Sequence, residues 1–295
     1  MSSSTTQTVQ YDNPNLNAAY NKLARSRQGL DGAPEWPLLR QMLLSKPING
    51  KAILDLGCGH GWACRWARAE GAEQITGIDV SAKMIEKAKK LDTGEDGYRN
   101  GVKVNGVNGM KLRVPEIRYI VHDLETVHLE RDSYDVVFSS LAFHYISDIQ
   151  RLFQQVHQCL KADGGRFIFS IEHPIMSAPK FAPTWTKIQT NGHDHVVWPL
   201  NSYKDEGLRM KEWLGVQDVK KYHRTIETYV SMLLECGFVL TGLKEWAPSK
   251  EDLMDREGSR WVPGVEGAMD HPEWVDERGR PYFLLVSASV PPVDI

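Results

Sequence analysis

Residues 53–61 read Ile-Leu-Asp-Leu-Gly-Cys-Gly-His-Gly, a spacing suited to holding a nucleotide. An apolar run at 52–56 predicts a strand that feeds Gly57, Gly59 and Gly61. A helix then presents Trp62, Ala63, Trp66 and Ala67 on one face. Glycines between strand and helix let the backbone turn tightly and let a ligand approach it closely. A dinucleotide fingerprint would need its third glycine where Trp62 stands, so the spacing disfavours a nicotinamide dehydrogenase. A second predicted strand, 74–80, brings Asp79 to its end, where a carboxylate can accept both hydroxyls of a ribose. Further strands at 117–121, 134–140 and 166–171 run into Asp123-Leu124, Ser140 and Glu172-His173.

Proton chemistry near neutral pH points to histidine. His144 follows the fourth strand and His173 the fifth, and open sheets place ligands beyond the carboxyl ends of their strands. His223 and Arg224 open a helix after a long insert, and an arginine fork there suits an acceptor carboxylate. These four residues are expected to share one acceptor pocket, with one histidine as base if the acceptor is a hydroxyl. No metal is expected. His193 and His195 flank Asp194 on a surface loop, and Cys58, Cys64, Cys159 and Cys236 lack paired metal spacing. Such cysteine usage fits free thiols in a reducing cytosol, hence a cytoplasmic location.

The pattern Asp55-x-Gly57-x-Gly59-x-Gly61, followed by acidic strand ends, resembles motif I and its sequel in class I S-adenosylmethionine-dependent methyltransferases. Ser-Ser-Leu-Ala-Phe-His-Tyr (139–145) and Ile-Glu-His-Pro (171–174) look like the methyltransferase type 11, ubiquinone-biosynthesis-like small-molecule group. The resemblance covers about residues 50–173. It implies an α/β, Rossmann-like seven-stranded sheet of order 3-2-1-4-5-7-6 with the last strand antiparallel. It also implies S-adenosyl-L-methionine as cofactor and S-adenosyl-L-homocysteine as product. The expected cofactor shell is Tyr20, Arg25, Asp55, Gly57, Cys58, Gly59, Asp79, Val80, Met84, Asp123, Leu124 and Ser140, with Asp123 on the adenine amino group. A small-molecule acceptor follows, methylated most simply on a hydroxyl or carboxylic acid. N- or C-methylation and a non-methylating cofactor scaffold are the alternatives. The fourth strand lacks the Asn/Asp-Pro-Pro-aromatic run of nucleic-acid amino-methyltransferases, and paired glutamates of the protein-arginine type are missing.

The elements that must position these residues fill 295 residues, with 41% hydrophobic and 25% charged. That composition is ordinary for a globular chain. A net charge of −3 offers no field for a polyanion, and no apolar run reaches a membrane span's roughly 18 residues. Residues 1–10 read as a disordered leader and 11–295 as one domain with a helical cap at 11–46. Arg27 lies in that cap beside Tyr20 and Arg25. A loop is expected at 92–116, and inserted lid segments at 174–221 and 247–280, whose tryptophans argue against disorder. The oligomeric state is not legible.

Overall fold

The computed structural model describes residues 11–93, 115–180, 185–249 and 279–292. The expected leader at 1–10, most of the loop at 92–116 and most of the segment at 247–280 lie outside the described residues.

Seven strands form the central sheet: β1 (Ala52–Leu56), β2 (Gln74–Asp79), β3 (Ile117–Val121), β4 (Val136–Ser140), β5 (Arg166–Glu172), β10 (Val239–Trp246) and β11 (Phe283–Ser289). Their order is β3-β2-β1-β4-β5-β11-β10. β11 runs antiparallel to both neighbours, and the other pairs are parallel. This is the Rossmann-like arrangement that the resemblance implied. β1 is buried at all five positions, as a central parallel strand covered on both faces must be.

Each face has its own helices. On one side α3 (Trp36–Leu43), α4 (Trp62–Ala69) and α5 (Ala82–Thr93) pack through Trp36, Leu39, Cys64, Ala67, Ile85 and Ala88. On the other, α6 (Ile149–Cys159) and α8 (Ile226–Glu235) bury Leu152, Phe153, Val156, Tyr229 and Leu233. There Phe143, Phe153, Phe167 and Phe169 form a mutually contacting aromatic cluster, each ring contributing about 1.5–3 kcal/mol by burial. Before the sheet, the cap contains α1 (Pro14–Tyr20) and α2 (Ala24–Arg27). Asn13 caps α1 by accepting from the Asn15 and Leu16 amides, and Pro14 supplies a pre-set first turn.

Between β5 and α8 stand the short α7 (Pro174–Ser177) and two antiparallel hairpins, β6–β7 (Thr186–Thr190, His193–Val197) and β8–β9 (Gly207–Trp213, Val216–His223). The first hairpin turns at Asn191-Gly192 with φ of 54° and 80°, the two-residue geometry that matches strand twist. Trp198 lies under the Arg280 guanidinium at 3.6 Å, beside Trp185. The tryptophans of this insert are therefore packed.

α6 stops at Cys159, where Leu160 turns extended to bridge Tyr134. One element boundary differs from the sequence expectation. His223 and Arg224 do not open α8. His223 ends β9, and Thr225 is the cap, accepting from the Thr228 amide at 3.1 Å.

Candidate functional site

The glycine turn sits at the carboxyl edge of the sheet, where β1 gives way to α4. Gly57 and Gly59 hold φ of 76° and 51°, a region that side-chain-bearing residues avoid. A Cβ on Gly57 would meet the Ala142 Cβ at 2.4 Å, whereas one on Gly59 would meet nothing within 4 Å. Gly57 is thus required by packing, and Gly59 borders open space. Asp79 fixes the turn: its Oδ2 accepts from the Gly59 amide at 2.8 Å and its Oδ1 from the Ser81 amide at 2.9 Å. Ser81 caps α5 through the Met84 amide, as expected from its type.

Above the turn lies a cavity of about 80 Å³. Of the expected cofactor residues, Tyr20, Arg25, Asp55, Gly57, Cys58, Gly59 and Ser140 line it. Asp79, Val80 and Asp123 stand outside it at the ends of β2 and β3. Asp123 closes a local turn onto the Glu125 amide at 2.9 Å. Leu124 packs into the core and Met84 is buried, and neither lines the cavity.

Sequence reasoning missed Glu35. It lines the cavity with 0% exposure, accepts from Arg25 Nη2 at 2.7 and 2.9 Å, and accepts from Ser140 Oγ at 3.1 Å. The partners lie 10 and 105 residues away, so no local pattern marks it. Tyr11 was missed as well. Its hydroxyl donates to that of Tyr145 at 2.8 Å, and its ring meets Tyr20 and Tyr145 edge-on. Asp12 accepts from Ser81 Oγ, which draws the cap across the end of β2.

Burial raises two carboxyls here. Asp55 is pushed up to about 7, and a bond from the Cys64 thiol opposes the shift only in part. Asp79 is pushed up to about 6, against the amides of Ser81 and Gly59. A carboxyl raised by folding stabilises the fold at low pH and loses that contribution as pH climbs through its folded value. Asp55→Asn removes this dependence. Its melting temperature relative to wild type should therefore rise from about pH 4 to pH 7 and then level off. A parallel offset between the two melting profiles would show that Asp55 titrates normally.

The four residues expected to share an acceptor pocket differ in what they have left to offer. His173 Nδ1 accepts from the Ile175 amide at 3.2 Å and its Nε2 donates to Glu245 at 2.8 Å. His223 Nε2 donates to the Tyr203 carbonyl and its Nδ1 accepts from Ser177 Oγ, both at 2.8 Å. Arg224 donates from Nη2 to the carbonyls of Ile146 and Ser147, clamping the segment after β4. Both ring nitrogens of His173 and His223 are thus bonded within the protein, while Arg224 keeps a buried Nη1 with no partner among the described residues. His144 differs. Its Nδ1 accepts from the Glu172 amide at 3.4 Å, and no group among the described residues bonds its Nε2. Around it stand Glu172 and Lys221, paired at 2.9 Å, and the Tyr145 ring at 4.3 Å. Burial pushes His144 down to about 3, reinforced by Lys221 and Arg25 and opposed by Glu172.

No group of three or more potential metal ligands occurs among the described residues. Nor is any described helix long and apolar enough to cross a membrane. The fit to a nucleoside-bearing cofactor rests on the space beside Gly59, the free lone pairs of Asp79, and Trp62, whose buried Nε1 has no partner although the residue lines the cavity.

Fold and site together define a class I nucleotide-cofactor transferase architecture. The methyltransferase-domain profile matches residues 54–169. The crystal structure of an S-adenosylmethionine-dependent methyltransferase from Mesorhizobium loti is 39% identical, with a TM-score of 0.66, covering 88% of this chain and 100% of that one. An uncharacterized protein of Haemophilus influenzae is 30% identical across 94% of this chain and 95% of its own length. A malonyl-[acyl-carrier protein] O-methyltransferase of Erwinia billingiae is 29% identical over 122 residues, 41% of this chain and 39% of that protein. The chain belongs to the S-adenosylmethionine-dependent methyltransferases.

Proposed function

We propose that this methyltransferase acts on an oxygen of a small molecule, a hydroxyl or a carboxylic acid. The observation that carries the reading is a cavity over the glycine turn, lined by Arg25, Glu35 and Ser140, with His144, Glu172 and Lys221 grouped around Tyr145 beyond the ends of β4 and β5. The Erwinia relative, named as an O-methyltransferase, supports oxygen as the acceptor atom.

In this reading Asp79 keeps two lone-pair positions for ribose hydroxyls after serving two amides, and Asp123 is left for the adenine amino group. Arg25 and Glu35 offer one cation and one anion to the zwitterionic amino-acid end. Bound there, the cofactor supplies a methyl group on a positively charged sulfur. The residues of the cap exclude water, which would otherwise stabilise that charge before transfer. The insert at 174–221 covers the acceptor. A cytoplasmic location, no nucleic-acid partner and no membrane partner belong to the same proposal.

Asp79→Ala should weaken cofactor binding roughly 10–100-fold, the scale of hydrogen bonds to a charged group. Calorimetry giving unchanged affinity in a folded variant would remove Asp79 from the cofactor shell. The function itself is tested by incubating the protein with S-adenosylmethionine and panels of phenols, carboxylic acids and amines while measuring S-adenosylhomocysteine. Binding without release against every panel would support a cofactor scaffold instead.

A further inference from the structure

One hairpin loads the acceptor side with positive charge. Arg209, Lys211 and Lys221, all from β8–β9, lie close together, and Arg209 and Lys221 are each only 4% exposed. Arg209 donates to the carbonyls of Ala178, Leu208 and Asp205 and faces the Asp205 carboxylate, and Lys211 donates to the Pro179 carbonyl. Glu172 is the carboxylate that Lys221 and Lys211 face among the described residues. Lys221 also lies over the Trp213 ring at 4.4 Å and faces that of Tyr145 at 5.9 Å. Against burial, which lowers it, Glu172 keeps Lys221 charged and holds its ammonium above the ordinary value. Three cations facing two carboxylates leave a net positive site for an anion.

The proton inventory points the same way. In the neutral ring of His144 the proton must sit on Nε2, because Nδ1 already accepts from an amide. His173 carries the same tautomer for the same reason, and His223 carries it because its Nε2 must donate to the Tyr203 carbonyl. All three Nε2 atoms are donors, so none is ready to remove a proton. Glu172 fares no better as a base. Burial raises its carboxyl, but Lys221, His144 and Lys211 bring it below the ordinary value. Burial holds the Tyr11 and Tyr145 hydroxyls protonated. Asp55 lies under the glycine turn, bonded to Cys64, on the cofactor side.

We propose that the acceptor is a carboxylic acid bound as its carboxylate, with the β8–β9 cations, Lys221 foremost, supplying the charge and His144 Nε2–H a directed hydrogen bond. The inference rests on the methyltransferase reading and narrows it. One acceptor oxygen is held by the donors while the other uses a lone pair to bond the methyl carbon. The carbon–sulfur bond breaks with its electrons left on sulfur, giving a methyl ester and a neutral thioether. No proton is taken or released, so a site made of donors suffices. A hydroxyl acceptor would release a proton that neither the three histidines, Glu172 nor the two tyrosines on this side are set to take.

The experiment uses matched probes: phenylacetate with 2-phenylethanol, octanoate with octanol, and 4-hydroxyphenylacetate, which offers an acid and a phenol in one molecule. Products are identified as ester or ether by mass spectrometry. Binding of the acids to the S-adenosylhomocysteine-loaded protein is measured separately by calorimetry. Esters only are expected, and Lys221→Met should weaken acid binding roughly 10–100-fold with cofactor affinity kept. Lys221→Arg should restore most of it. The Lys221→Met/Glu172→Gln double variant, which leaves no lone buried carboxylate, should show the same loss if Lys221→Met fails to fold. Ethers from the alcohols or the phenol would overturn the inference and leave the methyltransferase reading standing. Acid binding unchanged in the double variant, or no acid bound by wild type, overturns it too. Failure of the broader reading would differ, appearing as no S-adenosylhomocysteine from any acceptor class.

Discussion

Gly59→Val should lose more than about 100-fold in cofactor affinity while keeping a wild-type circular dichroism spectrum. Gly59 stands at φ 51° with its amide on Asp79 and open space where a Cβ would go. A β-branched residue forced into that conformation costs about 1–2 kcal/mol, a few degrees in melting temperature for a chain of this size. The larger effect is on the ligand, because the new side chain would occupy the border of the cavity that Gly59 lines. Gly57→Val is the control with the opposite signature. There the Cβ would meet Ala142 at 2.4 Å, so stability falls first and binding falls with it. Normal affinity in Gly59→Val would mean that the turn is a packing device and the cofactor lies elsewhere.

These two glycines also show what a sequence can and cannot carry. Asp55, Gly57, Gly59 and Asp79 were legible because strand, turn and helix are local, and a ligand-facing turn needs residues without side chains. The strand order came from the resemblance, since pairing β11 with β5 joins residues more than a hundred positions apart. Glu35 was illegible for a related reason: it follows a polar turn, and only the fold delivers Ser140 to it. The hairpins of the insert did leave a signal. Asn191-Gly192 between β-branched runs marks a two-residue turn, and β6 is exposed throughout, so no buried face added a stronger pattern. The types and strand-end positions of the histidines suggest bases, but a tautomer is set by partners such as Glu245 and Tyr203, 72 and 20 residues away.

The second large effect is expected from the buried pair at the cavity, and it should be asymmetric. Arg25→Ala should destabilise the protein by about 3 kcal/mol, within the range for stranding a buried charge. Glu35→Ala should cost closer to about 1 kcal/mol, on the scale of one net hydrogen bond. The difference follows from exposure: the Glu35 side chain is 0% exposed and that of Arg25 21%. Without arginine, the carboxylate keeps only the Ser140 hydroxyl as a protein partner in a site that leaves its side chain 0% exposed. Without glutamate, the guanidinium can turn its free donors outward. Urea unfolding of both variants gives the comparison directly, since the midpoint shifts scale with the two losses. Cofactor affinity should fall in both, because each removes one half of the charge pattern offered to the amino-acid end. Conservative Glu35→Gln separates the two effects by keeping the shape and a hydrogen bond while removing the anion. It should fold nearly as well as Glu35→Ala and still bind the cofactor roughly tenfold more weakly than wild type. Equal losses of stability from Arg25→Ala and Glu35→Ala would place the pair at the surface in energetic terms. Full affinity in Glu35→Gln would leave Glu35 as a holder of Arg25 alone.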